Sequence, residues 1–219
     1  MSLVIAIDGP AGTGKSTVSR AVARTLGLDY LDTGATYRVG ALYCLREGVD
    51  LNATDDVAAM LATMNVEMRL SPTDPRVLLD GDDVTSQLHT DTMSLVVSKV
   101  ATNLDARAVL RAVQRDLIDA SRERGGIVAE GRDVTSVVAP DAEVRVLLTA
   151  DEDVRVARRA GEGADPATVR EAVIGRDAQD STVVEFHVAA DGVVTIDTTS
   201  MTIDEVVDAV VRLVDEVQA

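Results

Sequence analysis

Residues 3–17 decide the fold, and they are Leu-Val-Ile-Ala-Ile-Asp-Gly-Pro-Ala-Gly-Thr-Gly-Lys-Ser-Thr. Residues 3–7 form a short, continuous apolar run rich in β-branched side chains, which predicts a strand buried on both faces. Residues 9–16 match the pattern Gly-x4-Gly-Lys-Ser/Thr. Apolar residues then recur at helical spacing until Gly27, which predicts a helix end. A strand, a glycine loop and a helix are therefore expected in direct succession.

The glycine loop predicts a phosphate-binding site. Glycines let the chain curl so that successive N–H groups converge on one point, at which the positive end of the following helix is also directed. The candidate nucleotide-binding residues are Gly9, Pro10, Ala11, Gly12, Thr13, Gly14, Lys15, Ser16 and Thr17. Lys15 is expected to reach the terminal phosphates, and the Ser16 hydroxyl to coordinate a Mg²⁺ ion that bridges them. ATP and Mg²⁺ are the predicted cofactors.

The rest of the chain predicts an α/β architecture. Apolar runs at 127–129, 144–148 and 193–196 alternate with helical patterns, as in a P-loop fold of three layers around a parallel sheet. Asp105 is a candidate N-cap of one helix, and Thr202 opens another through a capping box. Residues 66–70 and 76–79 predict antiparallel strands instead. We therefore expect one P-loop domain over 1–219 that contains a small antiparallel β subdomain inserted at 52–98.

Composition restricts the partners. The net charge is −16 and aromatic residues make up 2% of the chain, which argues against a nucleic-acid polymer or an anionic membrane as a ligand. The single cysteine, Cys44, lies in no zinc motif, and the N-terminal apolar run is too short for a signal peptide or a membrane span. The only lysines are Lys15 and Lys99. We expect a cytoplasmic, monomeric protein that acts on small molecules.

Two further motifs follow the second and third predicted strands, where open α/β sheets place their ligand-binding loops. They are Leu-Asp-Thr-Gly-Ala-Thr-Tyr-Arg at 31–38 and Glu-Gly-Arg-Asp at 130–133. The planar guanidinium groups of Arg38 and Arg132 match phosphate oxygens. The guanine motif Asn-Lys-x-Asp of GTPases is absent from the sequence. Together these features favour an enzyme that transfers a phosphoryl group to a small acceptor.

In these two motifs, and over nearly its whole length, the sequence resembles bacterial cytidylate kinases, including an insert at the corresponding position. The resemblance implies transfer from ATP to CMP or dCMP. The acceptor-binding residues that it implies are Thr33, Arg38, Ser98, Arg107, Arg132, Asp133, Arg176 and Asp180. Asp133 would accept a hydrogen bond from the cytosine amine. Arg107 belongs to a stripe with Arg111 and Arg115, of which we expect two members to face solvent.

Residues 151–183 resemble the mobile helical lid of that family. Lid arginines would stabilise charge on the transferred group while closure excludes water. The predicted catalytic residues are Lys15, Arg132, Arg158 and Arg176. Relatives carry a further phosphate-contacting arginine three residues after the aspartate that corresponds to Asp180, whereas this chain has Val183. We expect this departure to affect which acceptor the protein binds and how tightly it binds it.

Two groups of alternatives stay open. The acceptor could be UMP, AMP or a phosphate-free metabolite such as shikimate, although the last would leave Arg38 and Arg132 without an anion. The protein could also be a nucleotide-binding switch without phosphotransfer. No general base is needed for transfer to a phosphate, because the nucleophilic oxygen is already anionic. His89 and His187, the only histidines, are therefore expected to be surface or lid residues.

Overall fold

The computed structural model describes residues 2–160 and 166–219 and contains two sheets. The strands of the central sheet are β1 (Leu3–Asp8), β2 (Asp29–Asp32), β6 (Gly126–Gly131), β7 (Val144–Thr149) and β8 (Val194–Asp197). They are all parallel and lie in the order β2-β6-β1-β7-β8. This confirms the predicted α/β fold with a parallel sheet.

Eight helices are assigned in the described ranges. They are α1 (Lys15–Leu26), α2 (Thr33–Arg46), α3 (Thr54–Leu61), α4 (Asp91–Ala101), α5 (Leu104–Arg122), α6 (Glu152–Arg159), α7 (Pro166–Asp180) and α8 (Ile203–Gln218). A 3₁₀ turn covers Thr85–His89, and a π-helical turn covers Val134–Val138. No helix in these ranges is long and apolar enough to cross a bilayer.

The central strand β1 shows why the fold has three layers. Leu3, Ile5 and Ile7 pack in one core cluster with side chains of α1 and α8. Val4 and Ala6 point to the opposite face and pack with side chains of α5 and of the π-helical turn. Because successive side chains of a strand alternate between faces, the continuous apolar run fills both cores at once.

The carboxyl ends of three neighbouring strands meet at one edge of the sheet. In the register of the parallel pairs, Asp8 lies beside Gly131, and Asp32 lies beside Glu130. The phosphate-binding loop follows β1, α2 follows β2 directly, and the π-helical turn follows β6. The three motifs that the sequence places after strands are thereby brought together.

The small antiparallel sheet consists of β3 (Val66–Arg69), β4 (Arg76–Leu79) and β5 (Asp82–Asp83). Asp80 has φ 52° and Gly81 has φ 87°, so the tight turn between β4 and β5 has two central residues with positive φ. The predicted antiparallel strands are confirmed. The exact limits of the insert, 52–98, and of the lid, 151–183, stay predictions.

The helix caps contain one correction. Asn103, and not Asp105, is the N-cap of α5: its Oδ1 accepts the backbone N–H groups of Asp105 and Ala106 at 3.0 and 3.1 Å. Asp105 lies in the first turn instead, where its negative charge interacts favourably with the positive end of the helix dipole. The capping box at Thr202 is confirmed, since Thr202 and Glu205 exchange both hydrogen bonds.

Candidate active site

A cavity of about 650 Å³ lies at the carboxyl ends of β1, β2 and β6. Its basic lining residues are Lys15, Arg20, Arg24, Arg38, Arg107, Arg132 and Arg159. Its acidic lining residues are Asp32, Glu130, Asp133 and Asp180. Basic groups thus outnumber acids here, although the chain carries a net charge of −16. The overall negative charge repels a polyanion, so binding one requires cations concentrated locally, as they are in this cavity.

The glycine loop has the backbone of a phosphate nest. Gly9, Gly12 and Gly14 have φ values of 149°, 85° and 92°. A Cβ atom on Gly12 would lie 2.6 Å from the backbone oxygen of Arg155 at the close approach of α6 to the loop. Only glycine fits these three positions without strain or steric conflict. Ala11, Lys15, Ser16 and Thr17 line the cavity directly.

Lys15 is held within the loop. Its Nζ donates a hydrogen bond to the backbone oxygen of Pro10 at 2.9 Å. Burial lowers the pKa of Lys15 to about 8, while the nearby carboxylate of Glu130 acts in the opposite direction. The ammonium group is therefore mostly protonated at neutral pH and is available to a phosphate.

Glu130, at the end of β6, is a buried acid to which the sequence analysis gave no role. The hydroxyl of Tyr30 donates a 2.5 Å hydrogen bond to its Oε1. Burial raises the pKa of Glu130 and Asp32 acts in the same direction, whereas Lys15 and a hydrogen bond from Ser16 lower it. Glu130 and Ser16 form a pair of oxygen groups beside Lys15. The sequence did contain a signal for Glu130, because this acidic residue lies at the end of an otherwise apolar strand.

The predicted phosphate-binding arginines both line the cavity. Arg38 is paired with Asp32, and its buried Nε has no hydrogen-bond partner among the described residues. Arg132 is bound by two acids of α7, through Nη1 to Asp177 at 2.6 Å and through Nε to Asp180 at 2.9 Å. Thr33 also lines the cavity, and its Oγ1 donates to the backbone oxygen of Glu130 at 2.8 Å.

Asp133 lies in the wall of the cavity with 2% of its surface exposed. Its Oδ2 accepts hydrogen bonds from Arg107 Nη2 at 2.7 Å and from Arg111 Nη2 at 2.6 Å. We expected two arginines of the α5 stripe to face solvent, and this is wrong for Arg111. Its guanidinium group turns towards Asp133 instead, because a buried carboxylate requires charged partners. Arg115 is exposed and donates to the Val137 backbone oxygen.

Asp8 was also missed by the sequence analysis. It is almost fully buried at the end of β1, directly before the glycine loop. Its carboxylate accepts the backbone N–H groups of Val134 and Thr135 at 3.0 and 2.8 Å and the Thr135 hydroxyl at 2.7 Å. Burial raises the pKa of Asp8, and these three hydrogen bonds oppose that shift. Asp8 therefore fixes the segment that follows Asp133.

The candidate lid arginines occupy different positions. Arg158 donates to the Thr198 hydroxyl and backbone oxygen at 3.0 and 2.7 Å and is not among the residues lining the cavity. Arg159, the next residue, lines the cavity. Arg155 is buried and donates to the Ala11 backbone oxygen at 3.0 Å. Ser98 and Asp180 line the cavity too, whereas the side chain of Arg176 and residues 161–165 lie outside the described part of the chain.

Comparisons with known proteins agree on a family. A family model described as cytidylate kinase matches residues 5–216. The cytidylate kinase of Cutibacterium acnes is 46% identical over 216 residues, which cover 97% of this chain and 96% of that protein. The cytidylate kinase of Streptomyces griseus is 42% identical over 217 residues, which cover 98% and 93%.

Solved structures resemble the chain at the level of fold. An unliganded sugar kinase from Janibacter sp. has a TM-score of 0.52 at 11% identity and covers 98% of this chain and 95% of its own. A gluconokinase from Sinorhizobium meliloti has a TM-score of 0.51 at 16% identity and covers 99% and 94%. At this level of identity the likenesses support the fold alone and say nothing about the acceptor.

Proposed function

Because the chain belongs to the cytidylate kinase family, we propose that it transfers the γ-phosphoryl group of ATP to CMP or dCMP and releases ADP with CDP or dCDP. The observation that carries the proposal is that Asp133, held by Arg107 and Arg111, lies in the wall of a cationic cavity that residues of the glycine loop also line. One cavity thus offers a nest for a triphosphate and an acid for a cytosine amine.

The two substrates would meet between Lys15 and Arg132. The N–H groups of the loop and the ammonium group of Lys15 bind the β- and γ-phosphates, while Arg38 and Arg132 bind the acceptor phosphate. The acceptor oxygen is already anionic, so holding the two phosphates in line and neutralising their charge supplies the catalysis. Exclusion of water from the cavity during transfer would keep water from competing as an acceptor.

The residues around Ser16 fit a Mg²⁺ ion. When bound, the ion offsets negative charge on the phosphate chain. Its candidate ligands are the Ser16 hydroxyl and the adjacent Glu130 carboxylate, since Mg²⁺ prefers oxygen ligands. Within the described ranges, no group of three or more His, Cys, Asp and Glu side chains could hold a metal. Phosphate oxygens and waters would therefore complete its coordination.

Asp133 would select the base. Cytosine presents an amine at the position where uracil presents a carbonyl oxygen, so a carboxylate attracts the first and repels the second. Asp180 and Arg176 are proposed to contact the acceptor sugar, and Ser98 and Arg107 to complete the base pocket. A phosphate-free acceptor such as shikimate fits less well, because it would leave Arg38 and Arg132 without an anion.

The proposal is tested by coupled ADP release with CMP, dCMP, UMP, AMP and shikimate as separate acceptors. We expect turnover with CMP or dCMP to exceed that with the other three, and a Lys15→Ala variant to be inactive while it remains folded by circular dichroism. Turnover with none of the five would refute the kinase activity. Preference for UMP or AMP would refute the assignment of cytosine alone. The monomeric state and cytoplasmic location stay predictions, of which light scattering at assay concentrations checks the first.

A further inference from the structure

Arg132 is held by three side chains from the segment 177–186. Asp177 and Asp180 bind its Nη1 and Nε at 2.6 and 2.9 Å, and its guanidinium carbon lies 4.5 Å from the centroid of the Phe186 ring. Phe186 is the only phenylalanine of the chain and is 2% exposed. An aromatic face under a guanidinium group attracts it electrostatically and fixes its plane.

Asp177 connects this arrangement to the phosphate-binding loop. Its Oδ1, which binds Arg132, also accepts the backbone N–H of Ala11 at 3.1 Å. Its Oδ2 accepts from Arg155 Nη1 at 2.5 Å, and the same Nη1 donates to the Ala11 backbone oxygen at 3.0 Å. Asp177 is 4% exposed. A buried carboxylate with this many partners has one orientation, and it sets the distance between Arg132 and the loop.

Arg132 lines the cavity while Asp177 and Asp180 hold its Nη1 and Nε. Its guanidinium group is therefore fixed at a place that a bound anion can reach. Fixing a flexible arginine before the ligand arrives removes the ordering cost from the binding step.

We infer that Asp177 and Phe186 are positioning residues that hold the guanidinium group of Arg132 against the phosphate-binding loop, ready for the acceptor phosphate. The inference rests on the proposed function, which assigns the acceptor phosphate to Arg132. It concerns the segment 177–186, in which Val183 stands where the family resemblance implies an arginine.

A double-mutant cycle tests the role of Phe186. The dissociation constant of CMP is measured by calorimetry for wild type, Phe186→Leu, Phe186→Tyr and Arg132→Ala, and for the two Phe186 variants combined with Arg132→Ala. We expect Phe186→Leu to weaken CMP binding about fivefold, the size of a cation–π contact, with ATP affinity unchanged. Phe186→Tyr, which keeps the aromatic face, should bind CMP nearly as wild type does.

The cycle distinguishes positioning from general packing. If Phe186 acts through Arg132, Phe186→Leu should cause no further loss once Arg132 is alanine. An equal loss in both backgrounds would overturn the inference, as would CMP affinity unchanged by Phe186→Leu alone. Val188→Ala gives the matched control, since Val188 lies two positions from Phe186 and is 70% exposed.

Asp177→Asn provides a test whose sign depends on the mechanism. The substitution removes one negative charge beside Arg132, so simple electrostatics predicts tighter CMP binding. Positioning predicts weaker binding, because Arg132 and Arg155 lose their shared partner. Tighter binding would overturn the inference. If the wild-type protein neither binds nor phosphorylates CMP, both the proposed function and the positioning role are overturned. If the wild type is active and the variants bind CMP as it does, only the positioning role is overturned.

Discussion

Asp133→Asn separates base selection from phosphate transfer. The substitution keeps the shape of a side chain that is 2% exposed, but it removes the charge shared by Arg107 and Arg111. It also replaces an oxygen with an amide nitrogen, which can donate to the carbonyl oxygen of uracil. The glycine loop, the proposed ATP site, keeps all its own contacts. We therefore expect the variant to lose preference between pyrimidines and to retain its affinity for ATP.

The size of the effect follows from the type of hydrogen bond. A hydrogen bond to a charged group contributes about 1.5–3 kcal/mol. Since a tenfold ratio corresponds to about 1.4 kcal/mol, the ratio of kcat/KM for CMP to that for UMP should fall about 10- to 150-fold. Arg107 is 4% exposed and would lose a buried partner. Breaking such a pair costs about 3–5 kcal/mol of unfolding free energy.

The assay is ADP release at saturating ATP with CMP and UMP in turn, together with urea unfolding of each protein. Asp74→Asn is the matched control, because Asp74 forms an exposed ion pair with Arg76 and is not among the residues that line the cavity. It should leave both the ratio and the stability unchanged. An unaltered ratio of CMP to UMP in folded Asp133→Asn would refute the role of the carboxylate in base selection.

Three further predictions concern the loop, a helix cap and a buried ion pair. Gly12→Ala should abolish ATP binding, because its Cβ would lie 2.6 Å from the Arg155 backbone oxygen at φ 85°; calorimetric binding equal to wild type would contradict this. Thr202→Ala should lower the unfolding free energy by about 1 kcal/mol and leave kcat unchanged, as measured by urea titration and ADP release. Burial opposes a low pKa at Asp177, but Arg132, the Ala11 N–H and Arg155 together lower that pKa below 3.8. The stabilisation by ionised Asp177 is therefore complete above pH 3.8 and is lost as the pH falls through the lower pKa of Asp177 in the folded protein. The difference in thermal midpoint between wild type and Asp177→Asn should be constant near neutrality and shrink in acid.

The sequence predicts the sheet edge well because its motifs are local. The strand at 3–7, the glycine loop and the end of α1 at Gly27 each depend on neighbouring residues, and the structure confirms the succession. The cap of α5 was misplaced by two residues because Asn103 and Asp105 are both good caps, and only the path of the preceding chain selects one.

The parts of the site that the sequence did not predict depend on contacts between distant residues. The sequence spacing predicts an exposed position for Arg111, because it does not show that the fold brings Asp133 of another element within hydrogen-bond distance. Asp8 and Asp177 carry no motif of their own, yet each binds backbone N–H groups far along the chain. A single sequence shows that such acids are available, but not which donors the fold presents to them.

The near absence of lysine has a practical consequence. Lys15 sits in the phosphate-binding loop with its Nζ on the Pro10 oxygen, and Lys99 is exposed on α4. Because these are the only two lysines, an amine-reactive ester can label one side chain inside the proposed nucleotide site and one outside it. Peptide mass spectrometry of the labelled protein would then report occupancy of the loop directly, with Lys99 as the reference within the same molecule.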